Sequence, residues 1–260
     1  MNVAVPRRIK LFVWGGVASF VLAVVATLIL NARQVALADG ASGANRFVSS
    51  AESALNRSLL AVDVLLASMD DMLELAGARP EWLDPEVASQ RLRSSARQNL
   101  MVRYVALLDT QGRVFASSDA AGASLSVSLP AGFAASVFEQ PVSMLMVSAP
   151  AVSFVSAERV LYLGRQVRLV DGTQLLAVAE VPITALAGVL TQGMDIAGLQ
   201  VTLERSAGQV LLAMPRQEDA LARTLSPPLA DLDVLGPAWQ AHARLSGELA
   251  LVVYRPLMYQ

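Results

Sequence analysis

The sequence predicts an α+β chain: an N-terminal transmembrane helix continuing into a long stalk helix, then tandem antiparallel sheet units, the second incomplete. Three observations carry this. Residues Leu11 to Leu30, LFVWGGVASFVLAVVATLIL, form one apolar run without a charge. Phe47, Ala51, Leu55, Leu59, Val62, Leu66, Met69 and Leu73 then recur at steps of three or four, the period of a helix face. Beyond Asn99 the pattern becomes short apolar runs separated by Gly-containing turns, and this layout occurs twice.

The apolar run is long enough to cross a membrane, because twenty residues at about 1.5 Å each reach about 30 Å. Arg7, Arg8 and Lys10 precede it, whereas only Arg33 lies close on the far side. The positive-inside bias therefore puts the N-terminus in the cytoplasm and everything after Asn31 outside. The alternative is a cleaved signal peptide, with Ala36-Leu37-Ala38 as the small-x-small site before Asp39 and the rest released as an exported binding protein. A signal core usually spans about 7–15 residues, so the length favours an anchor.

Composition narrows the function classes. Of 260 residues, 54% are hydrophobic and 16% charged, with a net charge of −2. The dense basic cluster flanks the apolar run, so no basic stripe suits a nucleic acid. The chain has no cysteine, which excludes disulfides and thiolate metal sites, and His242 is its only histidine. One histidine cannot supply a His-pair metal site and fits an ordinary structural role. No Gly-x-Ser-x-Gly element is present, and Gly112, Gly172 and Gly208 are isolated turn glycines, not a phosphate loop. We expect no catalytic residues, no metal and no cofactor.

Along the chain, Gly40 and Gly43 weaken a helix without necessarily ending it, and Gly77 with Pro80 supplies its stop. The stripe from Phe47 to Leu73 is wide enough to face both a sheet and a twin helix. A second helix is expected from Asp84 to Asn99, with Asp84 as cap and Pro85 in first place. Strands follow at Tyr104–Leu108 and Arg113–Ser117 around the Asp109-Thr110-Gln111-Gly112 turn. A short helix is expected at Pro130–Glu139, and strands at Val142–Ala149, Val160–Leu169 and Gln174–Val181. Val170-Asp171-Gly172-Thr173 marks the hairpin between the last two. Pro182 opens a helix running to Leu190. Leu199–Leu212 then repeats the strand, polar turn and strand layout. A helix at Glu218–Leu225, a Pro227-Pro228 loop and a strand at Glu248–Tyr254 complete the reading. The first unit has five strand candidates and the second three.

The stretches YVALLDTQGRVFASSD (Tyr104–Asp119), YLGRQVRLVDGTQLLAVAEVPITAL (Tyr162–Leu186) and LQVTLERSAGQVLLAMP (Leu199–Pro215) resemble the double Cache family of bacterial extracytoplasmic sensors. The resemblance implies PAS-like sheet units and a small-molecule ligand in the membrane-distal one, with the signal passing to a kinase, cyclase or chemotaxis module. It implies a bacterial inner-membrane protein with a periplasmic bulk and boundaries at 1–10 (basic flank), 11–31 (transmembrane helix), 32–79 (stalk), 80–195 (distal unit) and 196–260 (proximal unit, incomplete). The sequence shows no output module, so it reads as the sensory front of a longer receptor, ending before a second span. A parallel homodimer through the stalk would let the signal move.

The candidate ligand residues are Tyr162, Arg165, Arg168 and Glu180. In the strand Val160–Leu169, parity puts Arg165 with Leu161, Leu163 and Val167, where a charge needs a partner or a ligand. Tyr162, Gln166 and Arg168 fall on the other side. A guanidinium fork suits carboxylates, which points to a small organic anion. The family's amino-acid motif Tyr-x4-Arg-x-Trp-Tyr is missing, since Val167 stands five places after Tyr162. The family's frequent aspartate after the last distal strand is replaced by Pro182, with Glu180 nearby.

Overall fold

The computed structural model describes residues 7–74, 84–119, 129–153, 156–169, 172–191, 196, 198–221, 223–229 and 238–259. Its helix α1 (Arg7–Ala67) is a single 61-residue element. No proline or run of β-branched residues interrupts it, and Thr27 satisfies its hydroxyl on the Ala23 carbonyl at 2.8 Å. Its apolar window is wholly unburied, with Trp14, Phe20 and Leu22 each at least 70% exposed. After a one-residue break at Ser68, α2 (Met69–Glu74) continues the path. The Gly77 and Pro80 stop lies outside the described residues.

The chain divides into two compact units. One comprises Met1–Arg46 with Gly236–Val253. Here strands β9 (Trp239–His242) and β10 (Leu249–Val252) form a hairpin, and a Cβ placed on Gly40 would lie 3.2 Å from Leu251 Cδ1. Gly40 costs the helix about 1 kcal/mol relative to alanine but lets the hairpin side chain approach its backbone. His242 Nδ1 lies 2.8 Å from the Gly247 carbonyl within the same hairpin.

The other unit comprises Phe47–Leu235 with Tyr254–Gln260. Its main sheet runs β2 (Val114–Ser117), β1 (Tyr104–Leu108), β6 (Gln174–Pro182), β5 (Arg159–Arg168), β3 (Met146–Val147), with β4 (Ala151–Val152) also on β5, antiparallel throughout. One sheet face carries Val105, Leu107, Leu161, Leu163, Ala177 and Ala179, in one apolar cluster with Leu55, Leu59, Val62, Leu66 and Met69 of the helices. The predicted stripe therefore packs on the chain's own sheet. Helix α3 (Pro85–Ala96) adds Leu92 to that layer, and the Asp84 carboxylate accepts from Glu86 N at its start. The opposite face carries Ala106, Leu108, Leu176 and Val178 beneath helix α4 (Phe133–Phe138). Gly164 is required there: a Cβ would stand 3.0 Å from the Phe133 ring.

Local chemistry sets both repeated hairpins. Asp109 Oδ1 accepts from the backbone of Gln111 and Arg113, both at 2.9 Å, and Gly112 takes φ +78. β7 (Val201–Glu204) and β8 (Val210–Met214) repeat the turn with Gly208 at φ +84, and both hairpins carry a register shift one residue before the end of their first strand. Helix α5 (Ile183–Thr191) follows β6 as expected.

Four expectations need correction. Val142–Ala149 is not one strand: only β3 pairs there and β4 follows Pro150, whose missing N–H interrupts the ladder. The Pro130–Glu139 helix starts later, because Gly132 at φ +78 precedes its first turn. Glu218–Leu225 is only a 3-10 turn at Glu218–Ala220, since the next residues are drawn onto the β8 hairpin: Val210 N donates to Arg223 O and Leu225 N to Gly208 O, each at 2.9 Å. Residues 196–260 hold four strands among the described residues, where three were expected, with β9 unforeseen; β7 and β8 belong to one compact unit and β9 and β10 to the other.

Candidate functional site

Three central strands bring Tyr104, Glu180 and Tyr162 into one cross-strand row. Tyr104 on β1 is in register with Glu180 on β6, and Glu180 with Tyr162 on β5. All three point to the α4 side of the sheet. They are 9%, 3% and 1% exposed respectively. Tyr162 Oη donates to Glu180 Oε2 at 3.3 Å, and the Ser153 side chain also hydrogen-bonds the carboxylate. Glu180 Oε1 is buried without a hydrogen-bond partner. Such an atom costs about 1–3 kcal/mol and calls for an explanation.

The surroundings set the electrostatics. Burial pushes the Glu180 carboxyl above its ordinary 4.5, opposed by Ser153, Tyr162 and the charge of Arg103, and reinforced by Glu158. Burial likewise raises the Tyr162 phenol, with the Glu180 charge adding to it. Tyr104 is raised by burial too; its hydrogen bond with Ser117 opposes this, and Asp119 and Glu180 add to it. The nearby cation, Arg103, is already engaged: Nη1 donates to Ser156 Oγ and Nη2 to Glu158 Oε2, both at 2.6 Å. These contacts tie the turn between β4 and β5 down beside Glu180, and within it Ala157 holds φ +55, a left-handed conformation uncommon for a non-glycine residue.

The sequence candidates separate accordingly. Tyr162 and Glu180 meet at this row. Arg165 faces the other side of the sheet, in an uninterrupted β5–β6 register, and its Nη1 binds Asp63 Oδ1 of α1 at 2.5 Å. The buried-face charge has thus found a partner within the chain. Arg168 ends β5 exposed. Both arginines line a groove of about 370 Å³ with Gln166, Ser143 and Asp70. Asp63 pairs with Arg165, and Asp70 is a further lining residue of the groove. Tyr104, Arg103 and Ser153 were missed, because only strand pairing carries them to Glu180. Tyr104's hydroxyl at the start of an otherwise wholly apolar, buried strand was the signal available.

No family model matches the chain, and no curated protein does. Solved structures do. The extracellular domain assigned to the histidine kinase rpHK1S-Z16 superposes with a TM-score of 0.65 at 19% identity, over 84% of this chain and 89% of that one. The sensor domain of the V. cholerae histidine kinase DctB gives 0.53 at 18%, over 86% and 93%. The ligand-binding domain of the Pseudomonas aeruginosa amino-acid chemoreceptor PctC, solved with GABA, gives 0.52 at 17%, over 77% and 86%. The chain thus has the fold of the double Cache extracytoplasmic sensor domains.

Proposed function

We propose that this chain is the extracytoplasmic, small-molecule-sensing part of a membrane-anchored bacterial receptor, binding its ligand at the Tyr104–Glu180–Tyr162 row without catalysis. The observation that carries this is the unpartnered Glu180 Oε1, a buried acceptor in the middle of an apolar sheet face. Ligands in domains of similar fold support the size class: PctC was solved with GABA, and the chemoreceptor CtaA of Pseudomonas fluorescens with L-valine.

The apolar part of α1 serves as the anchor, with the basic flank in the cytoplasm and the bulk in the periplasm. The helix runs unbroken through Ala38 and Asp39, so cleavage there would cut a continuous helix; this supports an anchor over an exported binding protein. Stalk residues Leu60 and Val64, 44% and 59% exposed, form the face for a parallel homodimer. The distal unit at 80–195 senses and the proximal unit at 196–260 relays.

Two measurements test this reading. Fractionation with N-terminal sequencing should find the uncut chain in the inner membrane; a soluble product starting at Asp39 would remove the anchored reading. A thermal-shift screen of organic acids, amines and amino acids on the full chain in detergent should give hits. Each should add about 2.7 kcal/mol at a hundredfold excess over its Kd. Hits unaffected by Glu180→Gln would relocate the site.

A further inference from the structure

We propose that the groove along the outer edge of β5 is a second binding site, for a short-chain monocarboxylate, centred on Arg165. It does not depend on the Tyr104–Glu180–Tyr162 row, since Arg165 faces away from Glu180 and toward α1. The fold leaves this place open. β3 covers β5 only at Leu163 and Gly164, and β4 only at Arg159 and Val160. Beyond Gly164, no strand among the described residues lies along that edge. Ser143, ahead of β3, closes part of it by donating from Oγ to the Gln166 carbonyl at 2.5 Å. Leu66, Ala67 and Asp70 of the helices form the facing wall, and about 370 Å³ remains between them. Small-molecule pockets span about 300–1,000 Å³, so the guest is small.

Arg165 sets the ligand's charge. Its guanidinium is about one-fifth exposed and binds Asp63 through Nη1 alone; among the described residues its other N–H groups have no partner. Five donors in a planar fork can serve two carboxylates at once, so the Asp63 pair does not exhaust this side chain. Asp63 is also shared, because its other oxygen accepts from Tyr259 Oη at 3.2 Å. Arg168, exposed at the end of β5, adds a second guanidinium to the lining and is in no ion pair among the described residues. The walls set the ligand's body. Leu66 and Val167 are buried and apolar, and Ala67, Pro141 and Val142 continue that surface. A second charge on the guest would meet Asp70 if negative and the guanidinia if positive. One carboxylate on a short apolar chain satisfies every wall.

A four-carbon series tests this on the full chain in neutral detergent: butyrate, succinate and 4-aminobutyrate, each titrated calorimetrically. Butyrate should bind at least about tenfold tighter than either of the others, and Arg165→Gln should weaken it by at least about tenfold. Ala67→Leu narrows the groove and leaves the Arg165–Asp63 pair in place; it should weaken butyrate as much, which keeps the site testable where the Arg165 variant misfolds. Asp70→Asn should close part of the gap between succinate and butyrate, and an unchanged gap would overturn the part given to that carboxylate. Tighter binding of succinate or 4-aminobutyrate would overturn the monocarboxylate. Butyrate binding indifferent to Arg165→Gln or to Ala67→Leu, or no saturable binding of butyrate, would overturn the site. Binding lost with Glu180→Gln but kept with Arg165→Gln would do so too, and would leave the sensing row standing.

Discussion

Asp63 of helix α1 holds Arg165 of the main sheet, 102 residues away in sequence, at 2.5 Å. Its second oxygen accepts from Tyr259 Oη at 3.2 Å, and Asn56 Oδ1, two turns earlier, accepts from Met258 N at 2.9 Å. One carboxylate therefore joins the stalk, the sheet and the C-terminal segment. Both partners of the ion pair are about one-fifth exposed, which separates this contact from the surface pairs that contribute little.

Arg165→Ala should therefore cost about 1.5–3 kcal/mol in urea unfolding, the range for a hydrogen bond to a charged group. Affinity for any hit of the thermal-shift screen that depends on Glu180 should not change, because Arg165 lies on the opposite face of the sheet. A double-mutant cycle with Asp63→Asn should show coupling; strict additivity would mean the pair is energetically idle.

Stability should fall as pH rises from 4.5. Burial raises the folded-state affinity of Glu180 for its proton above that of the unfolded chain. This group's contribution is fully present below the unfolded value and is lost as pH climbs through the folded one. Urea midpoints measured from pH 4 upward should show that decline superposed on other titrations, and Glu180→Gln should flatten it. An unchanged profile in the variant would place the dependence elsewhere.

Two glycines should differ in their tolerance of alanine. At Gly208 a Cβ would lie 2.4 Å from the Leu225 carbonyl oxygen, and φ is +84, so Gly208→Ala should cost at least about 2 kcal/mol. At Gly164 the obstacle is the Phe133 ring at 3.0 Å, which a small tilt can relieve, so the cost should be smaller. Denaturant titrations that reverse this order would contradict the packing at both sites.

Crosslinking should read the stalk face directly. Single cysteines from Arg57 to Val64, introduced into the full chain in membranes, should join two copies best at Leu60 and Val64. They should fail at Leu59 and Val62, which are 6% and 1% exposed against the sheet. The yield should follow a period near 3.6 residues. A flat profile would argue against a parallel pair through this helix.

The sequence by itself determined what is local. Continuous apolarity and the absence of proline made α1 a helix, a period of three to four made its stripe, and Asp109 with Gly112 wrote their own turn. Parity alone put Arg165 and Tyr162 on opposite sides of β5, because side chains alternate along any regular strand. It could not say what each would meet. Asp63 reaches Arg165 only because the stalk packs on the sheet, and Tyr104 reaches Glu180 only because β1 inserts beside β6. The 218–225 segment showed the same limit: its helical composition lost to backbone bonds offered by the neighbouring β8 hairpin. Tertiary structure decided those partners, since strand order and register are set by which apolar faces can be buried together. The row of Tyr104, Glu180 and Tyr162 exists only when three strands, distant in sequence, lie side by side.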